Sequence, residues 1–268
     1  MYRGRFAPSP TGPLHFGSLV TAVASYLDAR AHQGEWLVRM EDLDGPRTVV
    51  GSDRWILQTL EAFGFEWDGD VIWQSRREEI YRAAFEQISS DVYPCGCSRK
   101  ETGTIYSGAC RDGLPVGKSA RSWRLRVPPE EITFEDQRTG NFSQDLARDV
   151  GDFVLLRADG AWAYQLAVVV DDAWQGITHV VRGADMLDST PRQIYLQRLL
   201  GYPQPEYSHI PLVVNEHGDK LSKQTGAKPI SLEHPAKDLR RALEFLGSKP
   251  PTEVDNMKDL WTWATTVR

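Results

Sequence analysis

The first 34 residues constrain the fold more than any other part of the chain. A strand-compatible segment at 2–7 leads into a loop rich in proline and glycine at 8–18 (PSPTGPLHFGS), after which apolar residues recur at helical spacing as far as Gly34. A loop between a strand and a helix aims free backbone N–H groups and the positive end of the helix dipole at an anion. His15 adds an imidazole, Gly17 allows close approach to the backbone, and Ser18 is expected to cap the helix. This segment therefore predicts a phosphate site.

The same loop also fits a plainer interpretation, a proline-stiffened turn in which His15 is packed or solvated, because a short motif alone has little specificity. A second segment at 220–223 (KLSK) favours the phosphate site. Lys220 and Lys223 flank a small hydroxyl residue there, after a polar stretch at 215–219. By itself the KLSK segment is typical of a solvated turn. The two segments together are far more specific than either one.

Together they resemble the signature motifs of class I aminoacyl-tRNA synthetases, with 15–18 in the place of His-x-Gly-His and 220–223 in the place of Lys-Met-Ser-Lys. The segments at 5–12 (RFAPSPTG) and 39–44 (RMEDLD) resemble the glutamyl branch, and the match extends over nearly the whole chain. Ser18 replaces the second histidine of the general motif, so His15 is expected to carry more of the phosphate contact. Leu221 replaces methionine, which is an apolar exchange of similar volume.

The resemblance implies a role for each matching position. It places catalysis at His15, Gly17, Lys220 and Lys223; binding of L-glutamate at Arg5, Ala7, Ser9, Glu41, Tyr164 and Arg182; and binding of ATP, accompanied by Mg²⁺, at His15, Gly17, Asp185 and Lys223. Glu41 suits the ammonium group and Arg5 a carboxylate, because a zwitterion with an additional carboxylate needs one fixed anion and at least one guanidinium. For Arg182 and Asp185 a mutual salt bridge is an open alternative.

All three cysteines, Cys95, Cys97 and Cys110, lie within sixteen residues. Such crowding favours a thiolate metal site, with zinc as the metal suited to soft ligands, over three ordinary reduced thiols. No histidine lies between positions 33 and 178, so the residues alone leave Tyr106, Asp112 or a water as the fourth ligand. The resemblance implies a Cys-x-Cys…Tyr-x₃-Cys zinc knuckle, and thereby one Zn²⁺ site of Cys95, Cys97, Tyr106 and Cys110.

Composition limits the class of protein. The chain has 41% hydrophobic and 25% charged residues, which is ordinary for a soluble globular enzyme. Its net charge of −6 excludes a protein that coats nucleic acid through bulk positive charge. No apolar run approaches membrane-spanning length and no signal peptide precedes the first strand, so we expect a cytoplasmic protein, a monomer, with no membrane partner. Three cysteines do not make a disulfide framework.

The pattern of the rest of the chain predicts an α/β fold. A strand at 35–40 completes a strand–helix–strand unit, helices follow at 52–63 and after 75, and a β-rich stretch covers 118–145. We expect strands at 152–157 and 162–170 joined by a hairpin, a strand at 177–181, and helices after 188–191, at 235–246 and at 259–267. Tyr164 is expected inside the apolar strand at 162–170, where its hydroxyl needs a polar partner or a ligand.

The resemblance implies the class I synthetase form of this fold. That form has a Rossmann-type parallel sheet, an inserted zinc-knuckle subdomain similar to an acceptor-binding module, and a helical carboxyl-terminal part. The expected divisions are 1–85 and 151–210 for the two halves of the catalytic domain, 86–150 for the insert, and 211–268 for the lysine loop with the helical segment.

The resemblance also implies a ligase that activates L-glutamate with ATP and passes the glutamyl group to a hydroxyl acceptor. Because nothing in the sequence matches a large helical anticodon-binding half, the chain resembles the branch that glutamylates queuosine in the anticodon of tRNA(Asp). A shortened glutamyl-tRNA synthetase that charges a tRNA 3′ end stays open. So do a nucleotidyltransferase, which KLSK with Arg5 and Glu41 argues against, and a non-catalytic RNA-binding paralogue, which intact His15 and Lys223 argue against.

Overall fold

The computed structural model describes residues 1–215, 221 and 228–266, which form two compact units. Unit 1 consists of Met1–Trp73, Ile177–Asp185 and Pro205–Arg268, and unit 2 consists of Gln74–Gly176 and Met186–Gln204. The predicted catalytic residues Lys220 and Lys223 lie outside the described residues. Among the helices that are described, none has the length and apolar character needed to cross a membrane.

Strands and helices alternate along much of the chain. The strands are β1 (Arg3–Phe6), β2 (Glu35–Met40), β3 (Ile72–Trp73), β4 (Val92–Cys95), β5 (Ser122–Leu125), β6 (Glu131–Asp136), β7 (Gly140–Asp145), β8 (Phe153–Leu156), β9 (His179–Gly183) and β10 (Glu206–Ile210). The helices are α1 (Phe16–Ala31), α2 (Ser52–Ala62), α3 (Glu78–Gln87), α4 (Arg99–Thr102), α5 (Leu146–Asp149), α6 (Tyr164–Trp174), α7 (Thr190–Leu200), α8 (Pro235–Phe245) and α9 (Met257–Thr266).

The strands of unit 1 run parallel. β1 pairs with β2, β2 with β3, and β9 with β10. Thr178, just before β9, bonds to Arg3 at the start of β1: its Oγ1 accepts from the Arg3 N–H at 2.8 Å, and its own N–H donates to the Arg3 carbonyl at 2.9 Å. The β9–β10 pair therefore lies beside β1. This is the parallel α/β arrangement that the sequence predicted, and it collects the carboxyl ends of the strands at one edge.

Helix α1 is held to this sheet by its apolar residues. Leu19, Val23 and Leu27 are fully buried, and α1 packs against β1, β9 and α8. Tyr26 meets the ring of Trp36 edge-on at 5.1 Å, and the Trp36 indole N–H donates to Ser25 Oγ at 3.0 Å. Burying aromatic area while satisfying its one polar atom fixes the helix orientation. The amino terminus of α1 is thereby held at the edge where the strands end.

The predicted cap of α1 is wrong. The amino-terminal cap is His15, whose backbone is extended, and the Ser18 N–H donates to His15 Nδ1 at 3.3 Å. Residue preference favours Ser18, because serine is a common cap. The chain enters the helix three residues earlier, so Ser18 occupies the first turn and supplies a backbone donor instead.

Unit 2 is organised by antiparallel pairing. β4, β5 and β8 form one sheet in that order, and β6 and β7 form a hairpin.

Within unit 2, the buried carboxylate of Asp171 joins α6 to α3 and to the residues just before α3. It accepts hydrogen bonds from Gln74 Nε2, Arg77 Nε and the Tyr81 hydroxyl at 2.7–2.8 Å. The Arg77 guanidinium also stacks over the Trp174 ring at 3.9 Å.

The strand expected at 162–170 is wrong. After β8 the chain makes the expected turn, with a single bridge between Leu156 and Trp162, and then forms helix α6 from Tyr164. Residues 166–172 of this helix are all buried. A helix buried on every side has no polar face and therefore no 3.6-residue period, so its run of valines looks like a buried strand. Tyr164 consequently begins a helix rather than lying within a sheet.

Candidate functional site

The loop at 8–18 leads directly from β1 into the amino terminus of α1. Because His15 Nδ1 accepts the Ser18 N–H, the neutral imidazole carries its proton on Nε2. His15 is half-buried. The loop thus combines an imidazole N–H donor with the first N–H groups of a sixteen-residue helix, where the dipole favours an anion.

Gly17 leaves space in this loop for the His15 imidazole. A methyl group at Gly17 would lie 3.2 Å from His15 Nδ1 and Cε1, which is tighter than ordinary contact, so a larger residue would displace the imidazole. The same methyl position lies 3.7 Å from the carbonyl oxygen of Leu221. Leu221 is the described residue of the KLSK segment, and its N–H donates to the Val213 carbonyl at 2.8 Å. One described residue of the lysine motif therefore lies against the histidine loop.

The chain that follows the KLSK segment also returns to the histidine loop. Pro229 forms an antiparallel bridge with His15, and the Ile230 N–H donates to the Leu14 carbonyl at 2.9 Å. Leu221 precedes Lys223 and Pro229 follows it, and both of these described residues contact or adjoin residues 14–17. Two described positions, one inside the KLSK segment and one just after it, therefore adjoin the histidine loop although they lie about 200 residues away in sequence.

Glu41 follows β2 at the same edge, and its N–H donates to the Pro8 carbonyl at 3.0 Å. Its carboxylate Oε1 accepts from Nη2 of Arg39 at 3.2 Å. Arg39 is fully buried and the Glu41 side chain is only 9% exposed. The carboxylate that the sequence assigns to the ammonium group is thus paired with a buried guanidinium.

Arg182 is the penultimate residue of β9 and is 5% exposed. Its Nε donates to Nε2 of His209 on the neighbouring strand β10 at 3.0 Å, and its guanidinium lies 5.5 Å from the Tyr207 ring centre. Asp185 follows β9, and a methyl group at Gly183 would lie 2.6 Å from its Oδ1. Gly183 therefore leaves the space that the Asp185 carboxylate occupies.

The other predicted substrate residues divide between the units. Arg5 is 4% exposed within β1, and Ala7 and Ser9 follow that strand at the edge where Glu41 and Arg182 also lie. Tyr164 belongs to unit 2, as the first residue of α6. Unit 1 thus contains every described residue predicted to bind glutamate or ATP except Tyr164.

The three cysteines of unit 2 form a compact cluster. Their sulfur atoms lie within 4.8 Å of one another, with Cys97 and Cys110 at 3.6 Å. The Tyr106 hydroxyl lies 3.3 Å from Cys95 Sγ and 3.7 Å from Cys97 Sγ, and accepts the Cys110 N–H at 3.0 Å. Thiolates bound to one Zn²⁺ at about 2.3 Å lie about 3.8 Å apart. The donor set therefore fits a tetrahedral metal, with the Tyr106 oxygen at the remaining position.

The surroundings of Cys95 favour its ionised form, whereas burial and the neighbouring cysteines raise the pKa of Cys97. Burial raises the pKa of Cys95, but hydrogen bonds from Tyr106 and the Cys97 N–H, with the nearby Arg124, outweigh burial and lower it to about 7. Burial raises the pKa of Tyr106, as do its hydrogen bonds with the cysteine sulfurs. Cys95 is therefore the thiol that loses its proton most easily, and metal binding requires the deprotonated thiolate.

Gly151 fixes the position of Tyr106. The two residues form a single parallel bridge, and a methyl group at Gly151 would lie 2.4 Å from the Tyr106 carbonyl oxygen. Gly151 also has a φ of +73°, which disfavours every residue with a side chain. The backbone before β8 can therefore pass directly against the cysteine loop only with glycine at this position.

Two residues of the unit 1 site, Arg39 and His209, have no role assigned from the sequence. Arg39 belongs to a segment that carries the family resemblance, and the signal for it is an arginine inside an apolar strand, where a charge needs a partner. His209 lies on strand β10, which the sequence pattern did not predict. No local pattern marks His209, because its partner Arg182 lies 27 residues away on another strand.

The sequence of this chain is similar to those of known proteins. The family described as tRNA synthetases class I (E and Q), catalytic domain, matches residues 1–103 and 116–246. A protein of Chromobacterium violaceum named glutamyl-Q tRNA(Asp) synthetase is 57% identical over 275 residues, covering 98% of this chain and 92% of that protein. A protein of Dechloromonas aromatica with the same name is 58% identical over 278 residues, with the same two coverages.

Solved structures agree with this fold. The glutamate–tRNA ligase of Elizabethkingia meningosepticum in complex with its amino acid is 31% identical, with a TM-score of 0.74 over 84% of this chain and 52% of that one. This chain therefore spans about half the length of that ligase. The tyrosyl-tRNA synthetase of Archaeoglobus fulgidus, at 16% identity and a TM-score of 0.51 over 99% of this chain and 71% of that one, shares the fold alone.

Proposed function

We propose a function for this chain from one premise: it belongs to the family of catalytic domains of class I tRNA synthetases for glutamate and glutamine. The family predicted from the two motifs is thereby confirmed. The enzyme is a ligase that activates L-glutamate with ATP and transfers the glutamyl group to queuosine in the anticodon of tRNA(Asp). ATP and tRNA are both cytoplasmic reactants, and we place the enzyme there.

The first step needs no nucleophile from the enzyme. The α-carboxylate of glutamate attacks the α-phosphorus of ATP, and pyrophosphate leaves with the electrons of the broken P–O bond. Negative charge grows on the phosphate oxygens, so catalysis consists of holding the reactants and stabilising that charge. His15 Nε2–H and the N–H groups at the start of α1 supply donors, Lys220 and Lys223 supply positive charge, and Asp185 is assigned to the ATP ribose.

One observation carries this proposal: Leu221 and Pro229 lie against residues 14–17 in unit 1. Both motifs can then act on the same triphosphate. This observation supports activation of a substrate over simple RNA binding, and together with the family it favours a synthetase over the nucleotidyltransferase alternative.

Glutamate is assigned to the strand-end edge of unit 1. Glu41, whose carboxylate is paired with Arg39, holds the ammonium group, while Arg5 and Arg182 hold carboxylate. His209 keeps the Arg182 guanidinium in one orientation by accepting its Nε–H. Ala7, Ser9 and Tyr164 complete the assignment by their motif positions.

In the second step a hydroxyl of the acceptor attacks the glutamyl carbonyl, loses its proton, and displaces AMP. Queuosine of tRNA(Asp) is proposed as acceptor because relatives that share more than half of their residues with this chain carry that name. Charging of a tRNA 3′ end is the alternative, since two similar solved structures are glutamate–tRNA ligases or synthetases, of which this chain covers about half.

Locating the label tests the proposed acceptor directly. Radiolabelled glutamate and ATP are supplied with tRNA(Asp) that carries queuosine or lacks it, and the labelled tRNA is digested to nucleosides. We expect label only with the queuosine-containing tRNA, on the modified nucleoside. Label on the 3′-terminal ribose would reject the queuosine assignment and leave glutamate activation intact.

Lys223→Ala is expected to lower glutamate-dependent ATP–pyrophosphate exchange by about 10²-fold, because one positive charge that is assigned to the phosphates is lost. The unfolding temperature should stay at the wild-type value. Lys228→Ala, an exposed lysine beyond the motif, is the matched control and should retain the wild-type rate. Unchanged exchange in Lys223→Ala would remove this lysine from the chemistry.

We further propose that Cys95, Cys97, Cys110 and Tyr106 hold one Zn²⁺, whose contribution is to cross-link the loop and not to react. Cys110→Ser is expected to reduce zinc from one equivalent to a small fraction, measured by atomic absorption on protein purified without chelator. Tyr106→Phe should weaken zinc retention against a chelator, and Ser107→Ala, an exposed neighbour, should retain zinc. Full zinc content in Cys110→Ser would dismiss the site.

A further inference from the structure

Unit 2 contains a cavity of about 350 Å³ that is lined by none of the residues predicted to bind glutamate or ATP, and that shares one residue, Tyr106, with the cysteine cluster. The cavity is lined by residues of the loop at 102–106, of β5, of the end of β7 with α5, of β8, and of the start of α7. The side chains that matter for its chemistry are Tyr106, Arg124, Gln144, Asp149, Asp188 and Arg192.

Three of these lining residues carry a buried polar atom that no described residue pairs with. They are Nε of Arg124, Oε1 of Gln144 and Nε of Arg192. Buried polar groups are nearly always paired, because an unmade hydrogen bond leaves the full desolvation cost. Three such atoms belong to residues that line one cavity, which points to a polar ligand there.

Arg124 is a fixed part of the wall. It is 9% exposed, its Nη1 donates to the Asp152 carbonyl at 2.6 Å, and its guanidinium lies 4.0 Å from the centre of the Tyr106 ring. Since the guanidinium is always protonated, its Nε–H is a permanent donor. A second donor comes from Arg192, whose Nη2 is held by Ser189 Oγ at 3.2 Å and the Asp188 carbonyl at 3.3 Å.

Other lining residues supply acceptors, and the hydroxyl groups of Thr102 and Thr104 can donate or accept. Gln144 offers Oε1, and the exposed carboxylates of Asp149 and Asp188 lie at the cavity wall. A wall with both guanidinium donors and carboxylate acceptors disfavours a bare phosphate, which presents acceptors only. It suits a planar group that presents acceptors and donors along one edge, as a nucleobase does.

The cavity size agrees with one such group. A volume of 350 Å³ is near the lower limit of small-molecule sites, which span about 300–1,000 Å³, and admits a single nucleotide but no double helix. Sequence-specific proteins read RNA chiefly at unstacked bases of loops and ends.

We propose that this cavity binds one unstacked nucleotide of the tRNA, with Arg124 and Arg192 donating to its acceptor atoms and Gln144 accepting from its donor edge. The inference rests on the proposed function only in taking tRNA as the partner. It assigns Arg192 and Gln144 to recognition of the tRNA, and gives neither a part in glutamate activation.

The test measures binding of whole tRNA(Asp) to the full chain, without ATP or glutamate. Arg192→Met removes the Nε–H donor and keeps the length of the side chain. It is expected to raise the dissociation constant about tenfold or more, and Gln144→Leu about threefold to tenfold. Arg198→Met is the matched control on the same helix, because Arg198 is exposed and paired with Glu130; its affinity should equal that of the wild type. Thermal unfolding identifies a variant that loses affinity only by losing its fold.

Modification interference then identifies the nucleotide. Partially base-modified tRNA is bound to each protein, and the bound and free fractions are sequenced. We expect that modification of one nucleotide blocks binding to the wild type and to Arg198→Met. In Gln144→Leu the same modification should be equally frequent in the bound and free fractions. Identical interference in all proteins, or unchanged affinity in folded Arg192→Met and Gln144→Leu, would overturn the proposal. Wild-type protein that forms no glutamyl adenylate would reject the proposed function and leave this binding result to stand separately.

Discussion

Replacing His15 by alanine is expected to lower glutamate-dependent ATP–pyrophosphate exchange by about 10²–10³-fold, the usual cost of removing one donor that faces developing charge. The Ser18 N–H bond to Nδ1 places the imidazole proton on Nε2, and Ser18 replaces the second histidine of the general motif. With one histidine instead of two in the motif, we expect the phosphates to depend on His15 more strongly.

His15 also caps α1, so the alanine variant loses stability as well as a catalytic donor. Loss of an amino-terminal cap costs about 0.5–2 kcal/mol of the free energy of unfolding. His15→Asn separates the two effects, because asparagine caps a helix well but does not reach the position of the imidazole Nε2. We expect His15→Asn to unfold at the wild-type temperature and still lose exchange.

His234 provides the matched control for this experiment. It too stands at the cap position of a helix, α8, but its side chain makes no capping hydrogen bond and is exposed. His234→Ala should therefore exchange at the wild-type rate. Wild-type exchange in His15→Ala would contradict the assignment of the loop to phosphate binding.

Asp152→Asn is expected to cost about 3 kcal/mol of the free energy of unfolding. The fully buried carboxylate accepts from Arg111 through both oxygens, from the Tyr93 hydroxyl, and from the Val127 N–H at 2.9 Å. Breaking a buried ion pair costs about 3–5 kcal/mol, and the lower limit applies because the Arg111 side chain is 38% exposed and regains water. Chemical denaturation of both proteins at pH 7 measures the difference.

The same carboxylate makes stability depend on pH. Burial raises the pKa of Asp152, but hydrogen bonds from Arg111, Tyr93 and Val127 outweigh burial and hold it below its usual range. A lowered pKa in the folded state gives stability that is fully present above the unfolded pKa of about 3.9 and is lost as pH falls through the folded value. Wild-type protein should therefore lose this contribution only below about pH 4, and Asp152→Asn should lack that part of the acid dependence.

Asp159→Asn is the control for Asp152. Asp159 is also paired with an arginine, Arg157, but its side chain is 45% exposed. An exposed pair contributes at most about 1 kcal/mol, so this variant should unfold close to the wild type. An equal loss of stability in both variants would contradict the role given to the buried carboxylate.

Much of the candidate site could be predicted because its signals are local. The strand, the Pro/Gly loop and α1 are contiguous, so their order was readable from residues 2–34. The cysteine cluster was readable from spacing, since three of three cysteines within sixteen residues need only a short loop to meet. The assignments of individual residues to glutamate, ATP and zinc stay predictions.

Prediction from local sequence patterns failed where tertiary packing determined the secondary structure. Helix α6 is buried over residues 166–172, so its apolar run shows no helical period and predicts a strand. Strand β10 was missed, and with it His209. Residue preference places the cap of α1 at Ser18, although the entry of the chain into the helix selects His15.

The sequence by itself determined the family, the two motifs that are assigned to the triphosphate, and the clustered thiols, because each is a matter of residue type at short spacing. Only the tertiary structure decided which distant groups pair, namely Arg182 with His209, and Asp152 with Tyr93 and Arg111. It also decided which buried polar atoms of the cavity-lining residues stay unsatisfied. The physical reason is that a buried polar group must find its partner in space, and the chain brings that partner from tens of residues away.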